Sequence, residues 1–495
     1  MTAMSTSPSE VGAVAVDVAP SPSIATAETG PGLRPGRIGV LGIAFFVVAA
    51  VGPMAAIVGA SGLVFAANGA ATPSTYVIAA LLFAVFSVGY VAMSRHVSNA
   101  GGFVAYVARG LGTRAAGAAA GMAVLTYLTV ACSLYGVFSV IAEGTLDAEL
   151  GIHLPGTVWL FATLALVSGL AWWGVDVSLR TLGVLLLCEV IVLLVLDIAV
   201  IADGGASGNS VSGFAPSSMF GSGFGIALLW CAACFTGFEA TVVFSEEARR
   251  PRRTIPRATY LSIAFIGGFY ALTTWALSNA WGVDRIQQTA IERPADFIFA
   301  ATGEYVGSGW SSIMQVLVVT SFLAMLLGFH NLFARYVFAL GRARMLPAAM
   351  GVADRRSGSP RRAALAIGVA ELIVIGGFLL FGADAYTVLY AWLIALGTVT
   401  LLVVLGLTSV AILAFFARTR VERGLWSTRV APAVALAGFV AVTYLAIDNY
   451  AALLGGQGGV ARWLLLLIPV VAVAGWVGAD RRGRDGEVDF AARLS

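Results

Sequence analysis

The sequence predicts an all-α polytopic membrane protein with about twelve transmembrane helices. Of its 495 residues, 59% are hydrophobic and only 11% are charged, whereas soluble domains contain about 25% charged residues. Apolar segments recur along almost the whole chain, and at about 1.5 Å of rise per residue each can cross a hydrocarbon core of roughly 30 Å. The four cysteines all lie in apolar runs, so no disulfide framework is expected.

Twelve apolar segments make up most of the chain, and its two ends differ from them in composition. Residues 1–36 are rich in Ala, Ser, Pro, Gly and Thr, which predicts a disordered cytoplasmic N-terminal tail. Residues 480–495 form a short cytoplasmic C-terminal tail. We predict a core of ten spans over 37–416 and two further spans over 417–479. The predicted spans are 38–66, 73–93, 116–142, 155–174, 179–202, 222–246, 258–281, 309–340, 363–382, 386–416, 429–447 and 460–478.

The arginines predict the orientation of these spans. All 29 basic residues are arginine, and cytoplasmic loops of membrane proteins carry an excess of basic residues. With a cytoplasmic N-terminus, the arginine-rich runs at 249–257, 342–362 and 418–429 all lie inside, and only three arginines fall in outside loops. We therefore expect a multi-pass protein of the cell membrane with both termini in the cytoplasm. The absence of lysine excludes a mechanism that needs a titrating lysine within the membrane.

Two of the predicted spans are interrupted near their middle. Proline removes a backbone donor and glycine eases unwinding, and such breaks are tolerated at membrane depth only where backbone is buried in protein or lines a wet cavity. Breaks in helices one and six predict an inverted five-plus-five repeat, over 37–202 and 222–416, with a ligand site at mid-membrane. A simple kink in span one is the alternative. The residues concerned are Gly52, Pro53, Met54 and Ala55 in span one, and Phe235, Thr236, Gly237, Phe238 and Glu239 in span six.

Three stretches at the cytoplasmic ends of spans are more specific, and they resemble the amino acid–polyamine–organocation (APC) permeases. They are a loop after span two, the exit from span six, and the end of span eight at 330–342. The second is the most specific, because an acidic pair followed by a proline–arginine cluster is close to a signature of that family. The resemblance covers about 38–420, and spans eleven and twelve match only in hydropathy. The motif residues are Gly101 and Gly102 in the first loop, and Glu246, Glu247, Pro251, Pro256 and Arg257 after span six.

The resemblance implies a LeuT-like fold with two extra helices, alternating access, and a substrate held by the exposed backbone of spans one and six. It implies that the residues of both breaks contact substrate and that Glu239 helps couple substrate binding to gate movement. The family's glycine-serine-glycine turn is not obvious in span one, and Pro53 supplies no amide hydrogen for a substrate carboxylate. Arg250 stands where the loop motif commonly has asparagine.

The intramembrane acids are the ionisable candidates. Placing an ionised carboxylate in hydrocarbon costs roughly 2.5–3.5 kcal/mol of insertion free energy, so intramembrane acids usually face a cavity. Glu239 fits this expectation, although it could instead cap backbone donors of the broken helix. Glu189 lies nine residues after Arg180, where many relatives carry a lysine and some LeuT-like relatives bind sodium. Because burial disfavours a charged carboxyl, we predict that Glu189 binds the coupling proton; a neutral acid bonded between helices is the alternative.

The remaining polar residues receive no functional role at this stage. We interpret His330 as a satisfied helix–helix contact, and Glu371 and Asp197 as single acids without a visible partner. Tyr127, Tyr135 and Trp230 are candidates for a cavity wall, with ordinary packing as the alternative. Cys231 and Cys234 have the spacing of a metal pair, but four ligands are needed for zinc, so we expect no metal.

The few fixed charges favour a small neutral amino acid or a related amine, such as a polyamine or an ethanolamine-like molecule, as the substrate. An anionic substrate would lack a basic partner. We expect proton coupling, with sodium as the alternative, no cofactor and no nucleic-acid partner; a homo-oligomer is compatible with the sequence. A channel, a membrane sensor or an intramembrane enzyme are the other classes considered, but no nucleophile, metal cluster or spaced acidic pair indicates an enzyme.

Overall fold

The computed structural model describes residues 38–97, 102–174, 179–243, 248–294, 296–354, 359–422, 424–454, 459 and 462–484. The predicted N-terminal tail lies outside the described residues, as do the motif residues Gly101, Glu246 and Glu247. The described part is helical, and its one β-type contact is an isolated parallel bridge between Ile38 and Ala248.

The first half of the chain forms ten helices. Span one is divided into two of them, and a 3₁₀ turn at Gly69–Ala71 separates the second of these from span two. The helices are α1 (Val40–Val51), α2 (Pro53–Asn68), α3 (Thr72–Ser94), α4 (Gly102–Leu111), α5 (Thr113–Leu150), α6 (Gly156–Trp173), α7 (Leu179–Asp203), α8 (Pro216–Met219), α9 (Phe224–Ala233) and α10 (Ala240–Val243).

The second half forms nine more helices among the described residues. A π-helical turn at Ala385–Tyr390 leads into span ten, and a second one at Trp426–Val430 leads into span eleven. The helices are α11 (Pro251–Trp281), α12 (Ile286–Glu292), α13 (Phe297–Tyr305), α14 (Ser308–Arg342), α15 (Arg361–Leu380), α16 (Ala391–Thr419), α17 (Ala431–Asp448), α18 (Tyr450–Leu453) and α19 (Leu467–Arg484).

Ten helical stretches of the described chain are long and apolar enough to cross a membrane. One of them, Pro53–Ser94, contains both the second half of span one and the whole of span two, and the broken span six is too short to be counted. With these two taken into account, the helices correspond to the twelve predicted spans. The prediction of an all-α polytopic membrane protein is confirmed.

Two stretches that follow spans two and six differ from their prediction as loops. The prediction of a loop after span two is wrong, because Gly102–Leu111 forms α4, and eight of its ten residues are buried. It packs so closely on α16 that a Cβ at Gly110 would lie 2.2 Å from the Ala411 carbonyl oxygen. The proline–arginine motif after span six is also helical, since α11 begins at Pro251, a position where a proline has no donor to lose.

Helix α5 lies at the centre of the bundle and packs against α16, α14, α6 and α19. Its contact with α19 is made backbone to backbone: a Cβ at Gly475 would lie 2.1 Å from the Gly117 carbonyl oxygen. Small residues allow this close approach, which supplies the dispersion contacts that hold membrane helices together. Span twelve is thereby held against span three.

Candidate functional site

The break in span one is a single left-handed glycine. Gly52 has φ 61° and ψ 76° and separates the last residue of α1 from Pro53, the first residue of α2. Its amide donates to the Val48 carbonyl at 3.1 Å and so ends α1. Because this conformation strains any residue with a Cβ, glycine is required here. The first predicted break is confirmed.

The break in span six is longer. Helix α9 ends at Ala233 and α10 begins at Ala240. The amides of Phe235 and Thr236 bond three residues back, at 3.1 and 3.0 Å, instead of four, and Gly237 follows with φ 104°. Such tight bonding ends a helix and leaves backbone groups without helical partners. The second predicted break is confirmed.

The two breaks face each other. Helix α2 packs along α9, and the Val51 side chain lies 3.7 Å from the position that a Cβ on Gly237 would occupy. The backbone freed in span one and the backbone freed in span six therefore border one region inside the protein, as the sequence predicted.

Glu239 folds back over its own break. Its side chain is 2% exposed; Oε2 accepts a hydrogen bond from the Gly237 amide at 2.9 Å, and Oε1 accepts one from the Tyr127 hydroxyl at 2.5 Å. The carboxyl group thus satisfies a backbone donor of the unwound segment and ties that segment to α5. This geometry agrees with the capping role weighed above, and it identifies Tyr127, named only as a possible cavity wall, as the partner of the acid.

A cavity of about 60 Å³ lies between the two breaks. Its wall is almost entirely apolar, and the polar side chains on it belong to Cys234, Thr236 and Tyr390. The lining residues are Val51, Ala55, Ala56, Gly59 and Ala60 from span one, Ala233, Cys234 and Thr236 from span six, Val130, Leu134 and Val137 from α5, Phe322, Met325 and Phe329 from α14, and Tyr390 and Ile394 from span ten.

The predicted site residues divide into three groups around this cavity. Ala55 and Thr236 line it, and the Thr236 hydroxyl has no hydrogen-bond partner within the described chain. Gly52, Pro53 and Gly237 shape the two breaks. The rings of Phe235 and Phe238 instead pack on Phe83 of α3, with ring centroids 4.9 and 5.1 Å away, so they form a wall behind break six and not the cavity surface.

Sequence reasoning missed the wall that α14 contributes. Phe322, Met325 and Phe329 lie three and four residues apart, the spacing that places side chains on one helix face. This spacing was visible in the sequence, but apolar residues at helical spacing occur on every face of a membrane helix. The periodicity alone could not distinguish a cavity wall from lipid-facing or core packing.

Tyr390 closes the cavity from the π-helical turn before α16. Its hydroxyl donates to the Gly59 carbonyl of α2 at 3.1 Å. Asp384 caps this turn by accepting bonds from the Thr387 and Tyr386 amides, at 2.7 and 3.0 Å, and from the Thr387 hydroxyl at 2.8 Å. Although burial acts to raise the pKa of Asp384, these hydrogen bonds outweigh it and lower the pKa below its usual value.

Glu189 lies beside break one, outside the cavity lining. It is buried on α7, and the Met54 amide and the Ser321 hydroxyl of α14 face its carboxyl group. Neither Oε2 of Glu189 nor the Ser321 hydroxyl makes a well-formed hydrogen bond within the described residues. The acid therefore stands where α2, α7 and α14 meet.

Two interpretations of polar residues need correction. Glu371 does have a partner, because its Oε2 lies 3.3 Å from Nδ1 of His330, and His330 is not a satisfied contact, since neither ring nitrogen makes a well-formed hydrogen bond among the described residues. Asp197 also has a partner, the Thr273 hydroxyl at 2.8 Å. In the part of the chain that the structure describes, no group of three or more His, Cys, Asp or Glu side chains is arranged to hold a metal ion.

Comparison with known proteins shows which family this chain belongs to. The sequence profile of the amino acid permease family matches residues 42–483, so the chain belongs to that family. The resemblance to APC permeases is confirmed, and it extends beyond residue 420 to include spans eleven and twelve. Together with the apolar helices, this makes the protein a multi-pass membrane protein.

Individual relatives match over shorter segments. The chain is 24% identical over 170 residues to a chloroplastic cationic amino acid transporter 7 of Arabidopsis thaliana, covering 33% of this chain and 27% of the relative. It is 29% identical over 161 residues to an uncharacterized transporter of Mycobacterium tuberculosis, covering 31% and 35%. It is 39% identical over 66 residues to the human cationic amino acid transporter 4, covering 13% and 10%. The matches span about a third or less of each relative.

Proposed function

We propose that this protein is a secondary active transporter that moves a small neutral amino acid, or a related small amine, across the cell membrane by alternating access. The observation that carries the proposal is the cavity that lies between the two helix breaks. Broken helices that meet inside the membrane are how many carriers hold a solute with backbone groups. The transporter names of the relatives agree with this proposal.

The size and chemistry of the cavity support a small substrate. A site needs about 10–15 Å³ to hold one water, so about 60 Å³ accommodates a solute of only a few non-hydrogen atoms. The lining contains no Asp, Glu or Arg side chain, and a substrate with a charged side chain would have no counter-charge in it. A small neutral amino acid or a small amine is therefore favoured over a cationic amino acid.

The backbone at the two breaks can bind such a solute by its polar ends. The carbonyl end of α1 and the carbonyls of break six suit an ammonium group, because the C-terminus of a helix carries partial negative charge. The N-terminus of α2 suits a carboxylate, but Pro53 has no amide hydrogen and the Met54 amide faces Glu189. Ala55 then supplies the remaining first-turn amide, so the ammonium end is held better than the carboxylate end.

The proposal includes proton coupling through Glu189. Its carboxyl group faces the Met54 amide beside break one and Ser321 of α14, the helix that carries part of the cavity wall. A proton gained or lost here changes the attraction between α7 and the two elements that enclose the substrate. Both termini in the cytoplasm and the inverted repeat of 37–202 and 222–416 are parts of the same proposal.

Counterflow in liposomes tests the transporter proposal. Purified protein is reconstituted, the vesicles are loaded with an unlabelled small neutral amino acid, and entry of the labelled compound is followed. We expect the internal substrate to accelerate this entry, because a carrier returns faster when loaded. A channel or an enzyme shows no such stimulation, and its absence across a panel of small amino acids and amines would overturn the proposal.

Glu189→Gln tests the coupling site, and Asp197→Asn is its matched control. Both acids lie buried on α7, eight residues apart, but Asp197 bonds Thr273 of α11, whereas Glu189 faces the Met54 amide beside break one. Under an inward proton gradient we expect Glu189→Gln to lose concentrative uptake while keeping exchange, and Asp197→Asn to keep both. Wild-type uptake by Glu189→Gln excludes the proton role, and uptake that follows a sodium gradient at constant pH favours sodium instead.

A further inference from the structure

A second buried ionisable group lies apart from both Glu239 and Glu189. His330 of α14 and Glu371 of α15 are 1% and 0% exposed, and Nδ1 of the imidazole lies 3.3 Å from Oε2 of the carboxyl group. Neither ring nitrogen and neither carboxyl oxygen makes a well-formed hydrogen bond within the described chain. The pair is close enough for a strong electrostatic interaction, but its protons are not fixed by other partners.

Two further helices contribute polar atoms to the same place. Tyr135 and Cys132 of α5 lie within electrostatic range of Glu371. The Ser168 hydroxyl of α6 lies against Gly368, one turn before Glu371, and the His330 ring also borders that glycine. The hydroxyls of Tyr135 and Ser168, like the pair itself, have no hydrogen-bond partner among the described residues. Polar atoms from four helices thus converge on one buried spot.

The other ionisable groups on the surrounding elements stand farther along the chain. Glu189 of α7 faces Ser321, nine residues and about 13 Å along α14 from His330. Arg335 follows His330 by five residues, Arg361 and Arg362 open α15 about 15 Å before Glu371, and Glu304 of α13 precedes the start of α14. Helices α1 and α2, which also pack on α14, contain no ionisable residue.

We propose that His330 and Glu371 form a proton-binding site, separate from Glu189, that holds one exchangeable proton. With one proton the pair is neutral overall, whether as imidazolium and carboxylate or as imidazole and carboxylic acid. With none it carries a buried negative charge and with two a buried positive charge, and both are disfavoured in a low-dielectric interior. The pair therefore holds one proton in preference to none or two.

The site is connected to the cavity through α14. Phe329, the residue before His330, lines the cavity and packs on the Tyr127 ring with centroids 5.6 Å apart. A solute that displaces Phe329 moves the start of the same helical turn that holds the imidazole. This connection to substrate rests on the proposed function, whereas proton binding by the pair does not.

Proton release from the purified full-length protein tests the site without substrate or gradient. The wild type, Glu189→Gln and the double variant His330→Gln with Glu371→Gln are titrated in lipid nanodiscs from about pH 5 to about pH 10, a range that brackets histidine. We expect the wild type to release one proton per chain more than the double variant, and Glu189→Gln to retain that proton. Equal release by wild type and double variant overturns the proposal.

If the double variant does not fold, nuclear magnetic resonance of His330 provides a second test of the site. The chain has three histidines, and the other two, His96 and His153, have side chains 30% and 80% exposed. In the His96→Gln, His153→Gln variant, ¹⁵N-labelled imidazole reports on His330 alone. We expect its protonation to change over the same pH range, with the change altered by Glu371→Gln. Imidazole ¹⁵N shifts that stay constant over the whole pH range, both with Glu371 and in Glu371→Gln, exclude the site, and neither result depends on whether the protein transports anything.

Discussion

The two helix breaks are stabilised in different ways. Break one is a single glycine followed by a proline, and no ionisable side chain lies in α1 or α2. Break six is six residues long and contains its own acid, which bonds the Gly237 amide and the Tyr127 hydroxyl. Break one is therefore maintained by backbone conformation, with Glu189 of α7 facing the Met54 amide beside it, whereas break six is held by its own acid and a partner on another helix.

This difference indicates how each break responds to change. A break that depends on backbone conformation is lost when a Cβ is introduced, because the Cβ strains the backbone whatever the chemistry of the side chain. A side-chain-supported break fails when the acceptor is lost, even if the backbone can still adopt its turn. The three predictions below separate these two kinds of support.

Glu239→Gln is expected to have the largest effect. The amide side chain retains one acceptor oxygen but presents an NH₂ group to one of the two donors, so one of the two buried hydrogen bonds at break six is lost. Such a bond contributes about 2 kcal/mol, which corresponds to roughly thirtyfold weaker substrate binding. Calorimetric titration with the transported substrate measures the change. Tyr127→Phe removes one bond and should weaken binding less; wild-type affinity in Glu239→Gln would show that break six does not depend on its acid.

Gly52→Ala is expected to destabilise the protein through break one. A left-handed alanine costs about 1–2 kcal/mol, and its Cβ would also lie 3.0 Å from Sδ of Met325. Gly268→Ala on α11 is the matched control, because no atom lies within 4 Å of its Cβ position and helical glycine is about 1 kcal/mol less favourable than alanine. In thermal unfolding in nanodiscs, the midpoint temperature of Gly52→Ala should be lower than that of wild type. The midpoint of Gly268→Ala should equal or exceed that of wild type. Equal stability of the two variants contradicts a conformational break.

Asp384→Asn is expected to have the smallest effect, and one that depends on pH. Asp384 holds the turn that presents Tyr390 to α2, and its pKa is lowered in the folded protein. A lowered pKa means that the stabilisation is complete above the unfolded value of about 3.9 and is lost as the pH falls through the folded value. Asparagine still caps the turn but lacks the charge, so we expect a loss of about 0.3–1 kcal/mol near neutral pH.

Denaturation of both proteins across acidic pH checks this dependence. The stability difference between wild type and Asp384→Asn should shrink as the pH falls below the aspartate range. If the stability difference stays constant down to the lowest pH at which the native state persists, it comes from the shape of the side chain and not from its charge.

Local features of this molecule were predictable from sequence, whereas pairings between distant residues were not. Gly52-Pro53 and the turn around Gly237 break their helices through their own backbone preferences, so both breaks could be found by inspection. Tyr127 bonds Glu239, and His330 lies close to Glu371, in each case on a separate helix, and hydropathy carries no information on such pairings. Helix α4 was missed because ten residues with a buried face look like a short apolar loop until α16 covers them.

The bridge between Ile38 and Ala248 joins the chain just before α1 to the chain just before α11, and the Arg249 amide adds a bond of 3.0 Å to the Ile38 carbonyl. The chain entering α1 is thereby fastened to the chain entering α11, the helix that follows the interrupted span six. A shift of the chain before α1 therefore acts directly on the chain before α11 through these main-chain bonds.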